Sequence, residues 1–105
     1  MLGVDIVDML RINLGKPIIS HVLTQPEMAE FSSKHTTTQK KQYFAGRFAA
    51  KEAIFKATQD KDYLQYSILN DESGKPYIKD HPELEVSISH DANIAIAIVQ
   101  DTSHK

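Results

Sequence analysis

Hydrophobic positions along this chain change period twice, and each period predicts a different element. Leu2 to Val7 is a short apolar run that fits a buried strand, interrupted by Asp5. Gly3, Asp5 and Val7 share one face of it. Asp8 is placed to cap a short helix over Met9 to Leu14, which Gly15-Lys16-Pro17 ends. Ile18 to Leu23 is a brief apolar segment, helical or extended. Thr24-Gln25-Pro26-Glu27 reads as a capping box with proline in the first turn, predicting a helix to Ser32 or Ser33. The Thr36-Thr37-Thr38 cluster caps a long helix from Gln39 to about Thr58. Phe44, Phe48 and Phe55, with the aliphatic stem of Lys51, form its core-facing stripe.

The second half has a strand period. Tyr66 to Leu69 is a strand, Asn70 to Lys75 is rich in turn formers, and Pro76 to Ile78 pairs back as a hairpin. Asp80-His81-Pro82 is a loop. Leu84 to Ser89 alternates, with Leu84, Val86 and Ile88 on one face. Ile94 to Val99 is apolar on both faces and is expected to be buried on both sides. His90-Asp91-Ala92-Asn93 turns between these two strands, and Asp101 to Lys105 is a frayed tail. One strand, then helices, then a strand meander predicts an α+β fold in which one long helix packs on an antiparallel sheet.

Composition narrows the class. The 105 residues make one domain, near the size where oligomerisation helps a small core. Twelve Lys and Arg against fourteen Asp and Glu give a net charge of −2, which argues against nucleic acid as a partner. There is no cysteine, so neither a disulfide framework nor a thiolate metal site. No apolar run reaches membrane-spanning length and no secretory leader opens the chain, so a soluble cytoplasmic protein is expected.

The candidate chemistry centres on Arg47-Phe48-Ala49-Ala50-Lys51-Glu52-Ala53-Ile54-Phe55-Lys56-Ala57. Ala45, Ala49, Glu52 and Lys56 fall on one helical stripe. Alanines let another surface come close, and Glu52 with Lys56 would face the gap, where an acid and an amine suit a metal and a phosphate. Asp5 is costly inside an apolar strand unless paired or bound to a metal. It could instead cap the next helix, a role Asp8 fills better. Glu52 could simply pair with Lys56, a solvated contact worth roughly 0.3–0.5 kcal/mol. Two carboxylates suffice for Mg²⁺, which keeps waters and takes its other ligands from substrate phosphates. His90 at a strand end, Arg47 with Lys51 one turn on, and Gly74-Lys75-Pro76 read equally as surface, solvated basic face and hairpin turn.

Taken together, Gly3-Val4-Asp5-Ile6-Val7, Gly46 to Ala53 with Lys56-Ala57, Asn70 to Pro76, and Val86-Ser87-Ile88-Ser89-His90 resemble the holo-acyl-carrier-protein synthase family, the small 4′-phosphopantetheinyl transferases. The resemblance covers nearly the whole chain. It implies the transferase fold and a homotrimer, with strands such as Ile94 to Val99 around a three-fold axis and each coenzyme site between neighbours. It also implies a reaction in lipid metabolism, fatty acid biosynthesis in particular. Coenzyme A and Mg²⁺ bind together, a serine of an apo acyl carrier protein attacks the β-phosphorus, and adenosine 3′,5′-bisphosphate leaves. By position, Asp5 and Glu52 would hold Mg²⁺, Glu52 or a metal-bound water would help deprotonate the serine, and Lys56 would contact the phosphates. Arg47 and His90 would hold the 3′-phosphate, and Gly74, Lys75 and Pro76 would border the adenine. Arg11 would meet the carrier, with apolar help from Met9, Leu10 and Leu14.

Three stretches depart from the family pattern. Thr58-Gln59-Asp60-Lys61-Asp62 stands where a Gly-Thr-Gly turn is usual. Asn13-Leu14-Gly15-Lys16-Pro17 and His21 replace much of an arginine-rich segment. Asp91 follows His90 where Thr or Ser is usual. The second weakens the expected attraction for an acidic carrier, while the lost glycine turn and Asp91 fit a second reading, a non-catalytic transferase-like module that binds a carrier protein or nucleotide without turnover.

Overall fold

The computed structural model describes every residue except Lys16, His104 and Lys105. Its main sheet has three strands in the order β1-β5-β4. They are β1 (Leu2–Asp8), β4 (Leu84–Asp91) and β5 (Ile94–Asp101), paired antiparallel throughout. A separate two-stranded ribbon joins β2 (Ile68–Asn70) to β3 (Pro76–Ile78). Three helices lie between β1 and β2: α1 (Ile18–Val22), α2 (Gln25–Ser32) and α3 (Thr37–Thr58). The fold is α+β, with α3 packed across the inner face of the three-stranded sheet.

Helix boundaries follow from their caps. The Thr24 hydroxyl and the Glu27 side chain form the expected capping box of α2. Thr36 caps α3 in the same way with Gln39, so the helix starts at Thr37, two residues before the expected Gln39. Asp8 accepts from the Leu10 amide, but the element it caps is only a 3-10 turn over Met9–Arg11. Gly15-Pro17 does follow that turn, although its Lys16 lies outside the described residues.

α3 meets the sheet through small residues, not aromatic ones. Ala45, Ala49 and Ala53 are wholly buried, and Ala57 nearly so. Small partners let the elements approach until backbone touches backbone: a Cβ placed on Gly3 would lie 2.0 Å from the Ala53 carbonyl oxygen. The expected aromatic stripe therefore splits. Phe44 and Phe48 pack on the opposite side, with Ile19, Val22 and Leu23. Phe55 is half-buried, with the Lys61 ammonium 4.6 Å above its ring. The alanine stripe, expected to border a ligand gap, is filled by the sheet.

Several strand expectations shift. Tyr66 closes a 3-10 turn (Tyr63–Gln65), and β2 begins only at Ile68. β4 runs through His90 and Asp91, whose backbones pair with Ala95 and Ile94, leaving Ala92-Asn93 as the turn. Asp101 belongs to β5 and is buried, its amide bonded to the Met1 carbonyl, so the frayed tail shrinks. The last two residues of that tail lie outside the described residues.

β5 is not covered on both sides within one chain. Ala95, Ala97 and Val99 face α3 and are buried, while Ile94, Ile96 and Ile98 are 37–45% exposed. The register sets Val4 opposite Ile98 and Ile6 opposite Ile96, so Leu2, Val4 and Ile6 extend the same exposed apolar face. No helix of the described residues is long and apolar enough to cross a membrane.

Candidate active site

The β1–α3 seam brings the first candidate group together. Lys56 Nζ donates to Asp5 Oδ1 at 2.9 Å and to the Val4 carbonyl at 3.0 Å. Glu52 stands one helical turn earlier and accepts from the Tyr63 hydroxyl, so it does not form the solvated pair with Lys56. Asp5 is partly shielded while Lys56 is half exposed. Burial, with the Glu52 bond and the nearby charges of Glu52 and Asp5, pushes the Tyr63 phenol up to about 12. The phenol is therefore a proton donor at any ordinary pH. Among the described residues no three acids, histidines or cysteines gather into a metal cage. A pair of hard oxygen donors without a cage suits Mg²⁺ and no soft metal.

Arg47 and His90 form a second group. Both line an open cavity of about 410 Å³, together with Lys34, His35, Gln39 and Gln42. Arg47 is not on a solvated face. Its Nε donates to the Ile68 carbonyl at 3.0 Å and its Nη2 to Asn70 Oδ1 at 2.8 Å. The guanidinium also lies 3.5 Å from Glu30 and 4.1 Å from the Tyr43 ring centroid. Those hydrogen bonds occupy Nε and Nη2. His90 projects from a regular strand and is exposed. Lys34 and His35 were not singled out from sequence; their place before the Thr36 cap, at the positive end of a 22-residue helix, is the signal that marks them.

The third group is the β2–β3 turn. Asp71 Oδ1 accepts from Ser73 and Lys75, and Gly74 adopts φ +89°, a conformation glycine takes without strain. Lys75 and Pro76 border a cavity of about 800 Å³ that also takes in His81, Ile88 and Ile98. Arg11 stands apart, exposed beside a smaller apolar cavity with Phe44 and Phe48. Leu10 is 73% exposed beside it, but Met9 is buried and so gives no contact to a partner. Within one chain the candidates thus fall in separate places.

Two further features escaped the sequence reading. Lys51 is neither a solvated cation nor merely a stem: its Nζ bonds Glu27 Oε1 at 2.5 Å, the Val22 carbonyl at 2.5 Å and the Tyr63 carbonyl at 3.0 Å, all in the interior. Burial pulls this ammonium's pKa down while Glu27 holds it up. A lysine flanked by Ala50 and Ile54 on a buried helix face was the available signal. The other is Gln59, which takes φ +70° and caps α3 through its amide to the Phe55 carbonyl, so the turn is made without the usual glycine.

Comparison with known proteins places the chain in a family. Residues 1–99 match the model of the 4′-phosphopantetheinyl transferase superfamily. The chain is 39% identical over 98 residues to a holo-[acyl-carrier-protein] synthase of Mycoplasma mycoides, covering 91% of this chain and 88% of that one. It is 36% identical over 109 residues to the corresponding synthase of Lactococcus lactis strain SK11, covering 92% of each. The fold superposes on the Bacillus anthracis synthase crystallised with CoA (3′,5′-ADP) at a TM-score of 0.81 and 30% identity, over 93% of this chain and 91% of that one. The Helicobacter pylori synthase in complex with coenzyme A gives 0.76 and 30%, over 94% and 97%. With sequence and fold matching along nearly the whole length, this chain belongs to the holo-acyl-carrier-protein synthase family of 4′-phosphopantetheinyl transferases.

Proposed function

We propose that this chain moves the 4′-phosphopantetheine arm of coenzyme A onto a serine of an apo acyl carrier protein, with Mg²⁺, in the cytoplasm. The observation that carries this reading is the β1–α3 seam, where Lys56 reaches Asp5 one turn from Glu52. Asp5 and Glu52 would hold Mg²⁺, which when bound offsets charge on the pyrophosphate oxygens. Lys56, with one N–H beyond its two bonds, contacts the phosphates. The serine oxygen forms a bond to the β-phosphorus as the bond to the bridging oxygen breaks. Glu52 accepts the serine proton, and adenosine 3′,5′-bisphosphate departs. Arg47 and His90 hold the 3′-phosphate, Gly74-Lys75-Pro76 border the adenine, and Arg11 meets the carrier.

The exposed apolar face of β1 and β5, and the separation of the candidate groups within one chain, support a homotrimer whose coenzyme sites form between copies. The test is incubation with apo acyl carrier protein, coenzyme A and Mg²⁺, read as the mass gain of one phosphopantetheine arm. Wild type should add it, and Asp5→Ala and Glu52→Ala should not while keeping their circular dichroism spectra. Coenzyme binding without any gain in carrier mass would favour the non-catalytic module instead.

A further inference from the structure

Tyr63 lies outside the four blocks by which the chain resembles the family, yet its hydroxyl hydrogen-bonds Glu52. Two contacts fix it, and further bonds fix the chain around it. Its ring stands edge-on to Phe48, with centroids 6.2 Å apart. Its carbonyl accepts from Lys51 Nζ at 3.0 Å, and that ammonium is itself locked to Glu27 and the Val22 carbonyl. The connection on either side is tied down by Asp60, which accepts from the Tyr66 hydroxyl at 2.6 Å and from the Asp62 amide at 2.9 Å. The hydroxyl of this anchored ring donates to Glu52 Oε1.

Glu52 has few other restraints. Lys56, its natural partner one turn on, is engaged by Asp5 and the Val4 carbonyl. A glutamate has three side-chain torsions, so an unrestrained one would seldom point a given oxygen at a given place. A donor fixed on Oε1 restrains those torsions, while Oε2 has no hydrogen bond among the described residues. We infer that Tyr63 is a positioning residue, orienting Glu52 for the metal from a scaffold that reaches back to the buried Lys51–Glu27 pair. The inference rests on the proposed role of Glu52 as a metal ligand.

Partners of this kind, when removed, weaken metal affinity by about 10–100-fold. The test uses Tyr63→Phe, which keeps the ring on Phe48 and the carbonyl on Lys51. Mn²⁺ serves as the probe, titrated into protein with coenzyme A and followed by water proton relaxation. Tyr63→Phe should weaken Mn²⁺ binding roughly tenfold or more, and Asp5→Ala should abolish it. If Asp5→Ala loses the ion while Tyr63→Phe titrates as wild type, Tyr63 does not position Glu52 and the metal reading survives. If Asp5→Ala binds as wild type, the metal reading fails and this inference goes with it. A second measurement needs no substitution: bound Mn²⁺ should broaden the NMR signals of the Tyr63 ring before those of Tyr66 or Tyr77. Equal broadening of all three would overturn the assignment.

Discussion

Lys51 and Lys56 stand on the same helix, each facing a carboxylate, and they have opposite fates. The Lys51–Glu27 pair is 2.5 Å apart with both side chains wholly buried. Each ammonium proton has an acceptor, and the other Glu27 oxygen accepts from the Ile68 amide. The Lys56–Asp5 pair is 2.9 Å apart, with Lys56 51% and Asp5 19% exposed. The first is closed, and its bonds join α1, α2, α3, β2 and the turn that carries Tyr63. The second is open, with a donor left and water in reach. Charge alone therefore does not mark a site; what matters is how much of its bonding the fold has already consumed.

The comparison is most directly broken by cutting each pair. Lys51→Met strands the Glu27 carboxylate in the interior and should cost about 3–5 kcal/mol of stability in urea unfolding. Lys56→Met should stay within about 1 kcal/mol of wild type while arm transfer falls steeply. Equal stability losses would erase the distinction.

β5 carries the same contrast on its two faces. Ala97→Asp places a carboxylate against α3 and should unfold the chain. Ile96→Asp changes the exposed face and should leave the circular dichroism spectrum intact while light scattering drops from the proposed trimer mass to that of one chain. A trimer that survives Ile96→Asp would mean the apolar face is not the interface.

A smaller effect tests the open acids by pH. Tyr63 is held up to about 12 through burial and Glu52, and Tyr66 up to about 12 through burial and Asp60. The folded chain then holds phenol protons that the unfolded chain loses from about pH 10. Their contribution is whole below pH 10 and disappears as pH rises toward 12. Urea midpoints measured across that window should fall, and fall less in Tyr63→Phe and Tyr66→Phe. A wild-type midpoint flat to pH 12 would contradict the bonds to Glu52 and Asp60.

The mildest change concerns the helix end. Gln59 sits at φ +70°, where a side chain is strained. Gln59→Gly should raise stability by up to about 1 kcal/mol in thermal unfolding. A loss would show that the glutamine side chain has a role its backbone does not reveal.

The caps, the long helix, the hairpin and the α+β class were legible because each has a local signature. Thr24 and Thr36 announce helix starts within four residues, and Asp71 to Gly74 announces a turn. What stayed hidden depends on distant partners. Glu27 and Lys51 lie 24 positions apart, and nothing near either names the other. Phe55 shares its period with Phe44 and Phe48 but not their environment, because alanines, not phenylalanines, decide which side of α3 meets the sheet. Arg47 looked free since its acceptors at Ile68 and Asn70 arrive from a later strand. Asp5, Glu52 and Lys56 suggested a metal and a phosphate from their placement, but the rest of the candidate set came only through the family resemblance, and periodicity alone admitted simpler roles.

The contact between Gly3 and Ala53 bears finally on motion. Where side chains interdigitate, a strand and a helix can slide while rotamers absorb the shift. At this seam there is no side chain to yield, since backbone rests on backbone. Asp5 lies two residues beyond Gly3, and Glu52 and Lys56 flank Ala53 on the helix. Thermal fluctuation therefore carries the three charged groups together as one body, and their mutual spacing breathes less than the exposure of Lys56 suggests.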